Sequence, residues 1–326
     1  YTVIATTVVK KLNDNSDGDS GSGVYKVTHS AIPAESSATG SEIKASDDYR
    51  YYGPNPNNYI CLDMEGSSTC PDKHLYRIIG SIYEEKENTN RIKVIKATPL
   101  TDGTTNEFSW DYKSDGTYDN IWATITSGNY SNSLTSGSQL MKLLNSGAWW
   151  NGTSGSYYNN STTATNVNFT NYKLSDKAKS YITTSRYYLG GYNNQTPLTN
   201  KMYGYERGTL KKNTDRPLYW EGMVGLMYPS DYGYAAGNTC VNGTRLYDYD
   251  GGCKNKDWLY ISNTFQWLMS PDSSNSYGLF LVGYDGPVNY SSYSNNVFSV
   301  SPVFFLDSSA SISDGEGTSA APYILS

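Results

Sequence analysis

The four cysteines are the residues whose spacing most directly indicates chemistry. They form two local pairs, Cys61 with Cys70 and Cys240 with Cys253, each within a stretch rich in Gly, Ser, Asn and Asp. Two such pairs in an exported protein favour disulfides that close long loops. Zinc is the alternative, but it needs closer ligand spacing, and both histidines of the chain lie far from the second pair. We therefore predict two disulfide bonds.

Paired carboxylates are the candidate catalytic groups, because two of the 31 Asp and Glu residues facing each other in a cleft can hydrolyse a glycoside. Glu221 lies beside Trp220 and near Asp231, and an aromatic ring next to acids can form a sugar subsite. The competing interpretation makes Trp220, Met223, Leu226 and Met227 core residues and Asp231 a turn or helix cap. The chain has no HExxH, GxSxG, P-loop or GxGxxG motif. We therefore predict no catalytic residues and no enzymatic activity.

Two groups of aspartates suggest calcium as a cofactor. Asp14, Asp17 and Asp19 follow a loose D-x-x-D-x-D pattern, but the ordered twelve-residue loop with its closing Glu is missing. Asp248 and Asp250 lie near the second cysteine pair, where Asp side chains also stabilise turns. We predict no cofactor and no metal site, with calcium as the alternative.

Composition restricts the class of partner. The chain has 326 residues, a net charge of −6, 37% hydrophobic residues and 32 Tyr. It therefore lacks the basic surface that nucleic acid requires. Its apolar runs are shorter than the roughly 20 residues needed to cross a bilayer, so we predict no membrane span. The sequence begins with Tyr1, and we expect that a signal peptide or anchor preceded it.

The order of elements predicts an α+β fold. Residues 1–12, "YTVIATTVVKKL", fit either a short helix or a strand, and an acidic Gly/Ser-rich linker follows. Short apolar runs from Asp48 predict antiparallel strands and hairpins. "SGSQLMKLLNSG" predicts a helix, and "KLSDKAKSYITTSRYYLGG" predicts a second one from a Ser175 cap to Gly190. Strands return after Leu218.

Several motifs together resemble a known family. "DYRYYGPNPNNYI", "YRIIGSI", "LMKLLNSGAWWNG", "WEGMVGLMYPSDYGYA", "WLMSP" and "DGEGTSAAPYIL" occur here in the order seen in exported surface proteins of gut Firmicutes and Mollicutes-type bacteria. The resemblance covers residues 48–326 and implies a C-type-lectin-like fold of the formylglycine-generating-enzyme type. It implies a domain over residues 47–326, preceded by an N-terminal segment and linker over residues 1–46. It also implies that "RIIGSIYE", "SPVFFL" and "PYIL" lie near one another.

The chain departs from this family at "VSPV", residues 300–303, where the usual motif is "VRPV". An ion pair made by that arginine is therefore not expected here. The pairing of Cys240 with Cys253 follows the family pattern. Formylglycine-generating relatives use a reactive cysteine, and the four cysteines here are expected to be consumed by disulfides.

The segment "WLMSPDSSNSYGLFLVGYDGPVNYSSYSNNVFSVSPVFFL" combines an apolar frame with Tyr, Ser, Asn and Asp. Frame positions are predicted at Trp267, Leu268, Leu279, Leu281, Val288, Val297, Val300, Val303, Phe304 and Leu306. The residues between them have the composition of binding loops, in which Tyr gives broad contacts and Ser and Asn adapt their hydrogen bonds. A fixed frame with polar loops is typical of a binding scaffold. The predicted ligand-binding residues are Asn275, Tyr277, Tyr284, Asp285, Asn289, Tyr290, Ser292 and Tyr293.

We therefore predict an extracellular, cell-surface protein that binds a protein or glycan ligand through the loops of residues 272–295, in adhesion or recognition. Lectin-like folds of this type resemble the variable proteins of diversity-generating retroelements, and the Asn, Tyr, Ser and Asp content fits such diversification. The alternative is a pilin-like filament subunit that assembles with copies of itself. In that case residues 1–12 would be part of an assembly helix or a strand donated to a neighbouring subunit.

Overall fold

The computed structural model describes residues 18–124, 134–194 and 197–326. The predicted helix or strand at residues 1–12, together with Asp14 and Asp17, lies outside the described residues. Strands and short helices alternate through the rest, which confirms the α+β class. The strands are β1 Gly23–His29, β2 Ser46–Tyr52, β3 Tyr59–Cys61, β4 Leu75–Glu84, β5 Thr89–Lys96, β6 Phe108–Ser109, β7 Ser154–Tyr157, β8 Thr165–Asn168, β9 Ile182–Thr183, β10 Ser185–Tyr188, β11 Tyr219–Gly222, β12 Gln266–Pro271, β13 Gly278–Val282, β14 Val288–Tyr293, β15 Val297–Phe298, β16 Val303–Leu306, β17 Ile312–Asp314 and β18 Tyr323–Leu325. The α-helices are α1 Gln139–Asn145, α2 Ala148–Asn151, α3 Asp176–Ser180, α4 Thr199–Glu206, α5 Pro229–Ala235 and α6 Asn238–Gly243.

A nine-stranded sheet organises the molecule. Its main path runs β17, β18, β3, β4, β5, β16, β9, and β2 joins it through β4 and carries β1 on its far side. The pairs are antiparallel except for β18 with β3, which is parallel. "RIIGSIYE" in β4, "VFFL" in β16 and "YIL" in β18 therefore share one sheet, as expected. Strand β1 pairs with β2 over its whole length, from Gly23 opposite Tyr52 to His29 opposite Ser46.

Four smaller sheets complete the fold. They are β10 with β11, β15 with β6, β7 with β8, and the antiparallel group β12, β13, β14. In the last of these β13 lies in the middle and β14 at the edge. The β13–β14 hairpin thus carries the predicted binding residues on an edge strand and its connections.

Helix α1 is confirmed where the sequence predicted it. The Ser138 hydroxyl accepts a hydrogen bond from the Met141 amide, and Leu140, Leu143 and Leu144 face the core. Such caps satisfy amides that have no partner at a helix start. The second predicted helix begins at its predicted cap, Ser175.

The prediction that this second helix extends to Gly190 is wrong, because α3 ends at Ser180 and the chain continues as β9 and β10. Ile182 pairs with Leu306 and Tyr188 with Tyr219. β-Branched and aromatic residues fit a half-buried strand better than a helix. Helices α4, α5 and α6 were not predicted, because their many Gly, Asn and Tyr residues obscure the 3.6-residue periodicity of apolar positions.

Most of the described apolar residues form one continuous core that includes Trp110, Trp122, Trp149, Trp220 and Trp267. The predicted frame positions are buried in it, apart from Val297, which is half-buried. Leu226 and Met227 are fully buried, as the core interpretation of that segment required. A second, smaller cluster of Tyr25, Tyr52, Tyr203, Tyr234 and Val241 lies under β1.

The two predicted disulfides are present. Cys61 is bonded to Cys70 and Cys240 to Cys253, each with a Cα–Cα distance of 5.8 Å. All four cysteines are therefore oxidised, and none is available as a thiolate nucleophile. None of the helices in the described ranges has the length and apolar character that a membrane crossing needs.

Candidate ligand-binding surface

The β13–β14 hairpin separates the predicted binding residues into two groups. Val282 pairs with Val288 next to the turn, and Gly278 pairs with Tyr293 at the opposite end. Tyr284 and Asp285 lie in the turn, whereas Tyr277 and Tyr293 lie at the open end. About five residues of strand, roughly 17 Å, separate the two ends. The predicted binding residues therefore lie on two separate surfaces, one at the turn end and one at the open end of the hairpin.

Four tyrosines form a cluster at the open end, which we call the tyrosine cluster: Tyr112, Tyr118, Tyr277 and Tyr293. The rings of Tyr277 and Tyr293 meet edge to face, with centroids 4.7 Å apart, and Tyr118 stacks beside Tyr293 at 6.3 Å. Tyr112 stacks beside Tyr118 at 6.0 Å. Tyr277 is 36% and Tyr293 46% exposed. Their proximity raises the pKa of the Tyr277 hydroxyl, mainly through the charge that Tyr293 would carry when ionised.

A hydrogen-bond network fixes the loop that carries Tyr277. The Asn275 amide nitrogen Nδ2 donates to Asp272 Oδ2 at 2.6 Å and to Ser291 Oγ at 3.0 Å, and Asn275 Oδ1 accepts from the Tyr277 amide. Asp272 Oδ1 accepts from the amide and the hydroxyl of Ser274. Asn275, which was predicted to contact a ligand, therefore uses its amide group to position Tyr277.

Asn120 connects this loop to the segment that carries Tyr112 and Tyr118. Its buried Nδ2 lies within hydrogen-bonding distance of the carbonyls of Asp272, Asn275 and Gly278, at 3.3, 3.2 and 3.0 Å. The two chain segments of the tyrosine cluster thus share one anchor. Side chains held in this way lose little further freedom when a ligand binds.

A charged group borders the tyrosine cluster. Lys113 Nζ lies 3.0 Å from Asp119 and 3.6 Å from Asp111. Burial, together with the charge of Asp119, raises the pKa of Asp111 to about 6. Sequence reasoning missed Tyr112 and Tyr118. The stretch "DYKSDGTYDN" has the same Tyr, Ser, Asn, Asp and Gly content as the hairpin, and that composition would have pointed to it.

The turn end of the hairpin has different surroundings. Tyr284 is exposed and lies 6.1 Å from the exposed ring of Phe265, and its carbonyl accepts a hydrogen bond from the Tyr260 hydroxyl. Asp285 is exposed at the tip. The turn end therefore presents the aromatic rings of Phe265 and Tyr284 and the carboxylate of Asp285.

The remaining predicted residues lie along β14 and are half-buried. Tyr290 packs beside the buried ring of Phe280 at 6.1 Å. Asn289 and Ser292 lie opposite Leu281 and Leu279. Between them Ser291 has a positive φ of 63° at an irregularity in the strand register.

The carboxylates considered for catalysis each have their own basic partners. Glu221 pairs with Arg186 at 2.8 Å and with Lys86 at 3.6 Å. Asp231 is buried, pairs with Arg50 and Lys93, and caps α5 by accepting from the Tyr228 amide. This matches the cap interpretation of Asp231.

Two of the aspartates considered for calcium that fall in the described ranges bond to protein groups. Asp248 pairs with Arg245 at 2.5 Å, and Asp19 accepts from the amide and the hydroxyl of Thr239. Asp250 is exposed. The pattern at Asp14 and Asp17 lies outside the described residues.

Asp63, Glu65 and His74 are the one group, within the part of the chain that the structure describes, whose ligand atoms converge within 4.8 Å. Glu65 there already pairs with Lys73 at 2.9 Å and with His74 at 3.1 Å. Asp63 accepts from the Ser175 hydroxyl. Both carboxylates of the group therefore have protein partners.

Comparison with known proteins adds no relative. No family model, no curated protein and no solved structure matches the chain.

Proposed function

We propose that this chain is an extracellular bacterial surface protein that binds a protein or glycan ligand without catalysis. The binding surface is the tyrosine cluster, extended by the polar residues of the β13–β14 hairpin. The fold that carries it is C-type-lectin-like, of the formylglycine-generating-enzyme type. One observation carries the proposal: two exposed tyrosines of the hairpin, Tyr277 and Tyr293, meet the half-buried Tyr118 of a separate chain segment, on a loop anchored by Asn120 and Asn275.

Tyrosine rings suit both classes of ligand. Each presents an apolar face and a hydroxyl, so one side chain can pack against a sugar or an apolar side chain and also form a hydrogen bond. Two rings with more than a third of their surface exposed leave area for such contacts. Lys113 and Asp119 supply charges at the rim.

Other features of the chain support the proposed location and diversification. Two disulfides persist in oxidising surroundings, which agrees with an exported protein at the cell surface. The frame residues of the hairpin are buried, while Tyr277, Tyr284 and Tyr293 are exposed. Retroelement diversification could therefore rewrite the exposed positions without disturbing the core.

Glycan and protein arrays test the proposal. The wild type, the Tyr277→Ala/Tyr293→Ala variant and the control Tyr247→Ala, which changes an exposed tyrosine outside the hairpin, would be screened on the same arrays. We expect the wild type and the control to bind a common set of ligands, and the double variant to lose at least tenfold in affinity while keeping its circular dichroism spectrum. Equal binding by the double variant would exclude the tyrosine cluster as the binding surface.

A pilin-like filament subunit is the second candidate function. The observation that favours it is strand β1, which pairs with β2 on one side and, within the described ranges, has no strand on its other side. A free strand edge can accept a strand from another chain.

A further inference from the structure

A groove runs along the unpaired side of β1. Its volume is about 730 Å³, and its walls are β1, helix α4 and helix α6. Six consecutive residues from Tyr25 to Ser30 line it. Successive side chains of a strand point to opposite faces of the sheet, so six consecutive side chains cannot all reach one groove. These six residues can all line the groove only through the backbone atoms at the free edge of the strand. The groove is therefore open to the hydrogen-bonding edge of β1.

The lining of the groove is mixed, and its floor includes a group of apolar side chains. Tyr25, Tyr203, Tyr234 and Val241 belong to the second hydrophobic cluster, and Val27 packs partly buried against it. This cluster is separate from the main core. Apolar side chains laid into the groove would enlarge a small cluster and gain burial.

The aromatic rings in the floor have little free face for a saccharide. The ring of Tyr203 stacks on His29 with centroids 3.6 Å apart, and the guanidinium of Arg207 lies 3.5 Å from its centroid. Tyr205 stacks on Tyr192 at 3.8 Å. An extended peptide, which needs a strand edge and room for apolar side chains, fits the groove better than a sugar does.

The chain carries a segment suited to this groove. Seven of the eight residues 2–9, "TVIATTVV", are Thr, Val or Ile. β-Branched residues favour extended backbone and pack well on a half-buried strand. Such a segment would supply both the backbone partner for β1 and the apolar side chains for the floor.

The described chain begins beside the groove. The Gly18 carbonyl accepts a hydrogen bond from the Asn238 amide at 2.8 Å, and Gly18 lies against the ring of Tyr25. Asn238 and Tyr25 both line the groove.

Chain length separates what the same chain and a second copy must do to fill the groove. Residues 2–9 end nine residues before Gly18, which allows at most about 30 Å of extended chain, and the seven residues of β1 span about 23 Å. An extended run back along β1 from Gly18 would place "LNDNSD", residues 12–17, in the groove, so residues 2–9 of the same chain could enter it only if residues 10–17 looped out. The segment of a second copy has no such restriction.

We propose that the groove beside β1 receives residues 2–9 of a second copy of this chain as an added strand. The contact is heterologous, since one copy contributes the segment and the other the groove. In a pair of copies, one copy still has a free groove and the other still has a free segment. Further copies can therefore add at both ends and form a linear chain. This assembly is independent of ligand binding at the tyrosine cluster.

Two variants of the full chain separate the two halves of the contact. The groove variant is Gly204→Phe, because Gly204 lines the groove and a Cβ there meets no atom within 4 Å. The segment variant carries four changes that cover both faces of the strand: Val3→Asp, Ile4→Asp, Val8→Asp and Val9→Asp. The matched control is Gly251→Phe, which also opens to free space and lies outside the groove lining.

Light scattering after size exclusion, over a range of concentrations, measures the mass. We expect the wild type and Gly251→Phe to grow beyond a dimer with concentration, and each of the other variants alone to stay at the mass of one chain. Mixing the groove and segment variants should give one heterodimer and nothing larger, because one groove and one segment remain functional. Circular dichroism checks that each variant is folded.

Three results would overturn the proposal. One is a wild type that stays monomeric at every concentration. Another is association of both variants to the wild-type extent. The third is a monomeric wild type whose residues 2–9 are protected from hydrogen exchange, which would place the segment on its own chain. Array binding at the tyrosine cluster is read separately, so failure of assembly leaves that function untouched.

Discussion

Lys93 and Asp231 form an ion pair inside the hydrophobic core. Lys93 Nζ lies 2.5 Å from Asp231 Oδ2, and both side chains are 2% exposed. Arg50 takes the other carboxylate oxygen at 2.9 Å, and the ring of Tyr228 lies 4.6 Å from the ammonium. Although burial alone would raise the pKa of Asp231, the charges of Lys93 and Arg50 lower it. Asp231 therefore pairs with both buried cations and joins β2, β5 and α5, and Arg50 has a second buried carboxylate partner in Asp48 at 2.7 Å.

Removing this carboxylate should be strongly destabilising. Asp231→Ala leaves Lys93 buried without its carboxylate partner and leaves Arg50 with Asp48 alone, and breaking a buried pair in this way costs about 3–5 kcal/mol. Denaturant unfolding measures the loss. The control is Glu221→Ala, which breaks a partly exposed pair with Arg186 and should cost about 1 kcal/mol or less. Equal losses in the two variants would contradict the role assigned to burial.

Glu206 should make stability fall as the pH rises. Burial raises its pKa to about 7, against the opposing charge of Arg207 and a hydrogen bond from Ser230. The folded state therefore holds this proton more tightly than the unfolded state, whose pKa is about 4.3. The contribution is fully present below that value and is lost as the pH passes 7, a change of about 3 kcal/mol.

Comparing the wild type with Glu206→Gln isolates this effect. Denaturant unfolding at pH 4 and pH 8 gives the difference in unfolding free energy between the two proteins at each pH. We expect Glu206→Gln to gain about 3 kcal/mol relative to the wild type between these pH values. A constant difference would show that Glu206 titrates alike in the folded and unfolded states.

The sequence predicted local features well where one periodicity or one cap dominated. Ser138 caps α1 as expected, and the apolar residues around Leu279 and Leu281 identified buried frame positions. The cysteine pairs were predictable because their members are only 9 and 13 positions apart in the sequence. Each of these features depends on residues close together in the chain.

Features that depend on distant contacts were not predictable. Asp231 was recognised as a cap, but its partners Arg50 and Lys93 are 181 and 138 residues away. Tyr118 meets Tyr293 only after folding brings the two loops together. The division of the predicted surface into two ends followed from hairpin register, which the composition of residues 272–295 does not encode.

Each disulfide should contribute similarly to stability. The sequence separations within the pairs are 9 and 13, and the chain-entropy model gives about 3 kcal/mol for loops of either length. We expect Cys61→Ala/Cys70→Ala and Cys240→Ala/Cys253→Ala each to lower the unfolding free energy by that amount in denaturant titrations. A loss of less than about 1 kcal/mol for either pair would show that its loop is already ordered in the unfolded chain.

Asn120 should control the order of the loop that carries Tyr277. Asn120→Ala removes the buried amide that links three carbonyls of this loop to the other half of the tyrosine cluster. The substitution should lower the unfolding free energy by about 1–3 kcal/mol. We expect amide hydrogen exchange in residues 272–278 to accelerate at least tenfold, and ligand affinity to fall although both exposed tyrosines remain.

The matched control is Asn145→Ala. Asn145 is also buried, donates to the carbonyls of Met141 and Val224, and lies in α1 outside the tyrosine cluster. Its loss should cost a similar unfolding free energy and leave exchange in residues 272–278 unchanged. If both variants accelerate exchange there equally, the loop responds to global stability, and Asn120 has no specific positioning role. Acceleration in Asn120→Ala alone would show that the binding surface depends on this one amide for its shape.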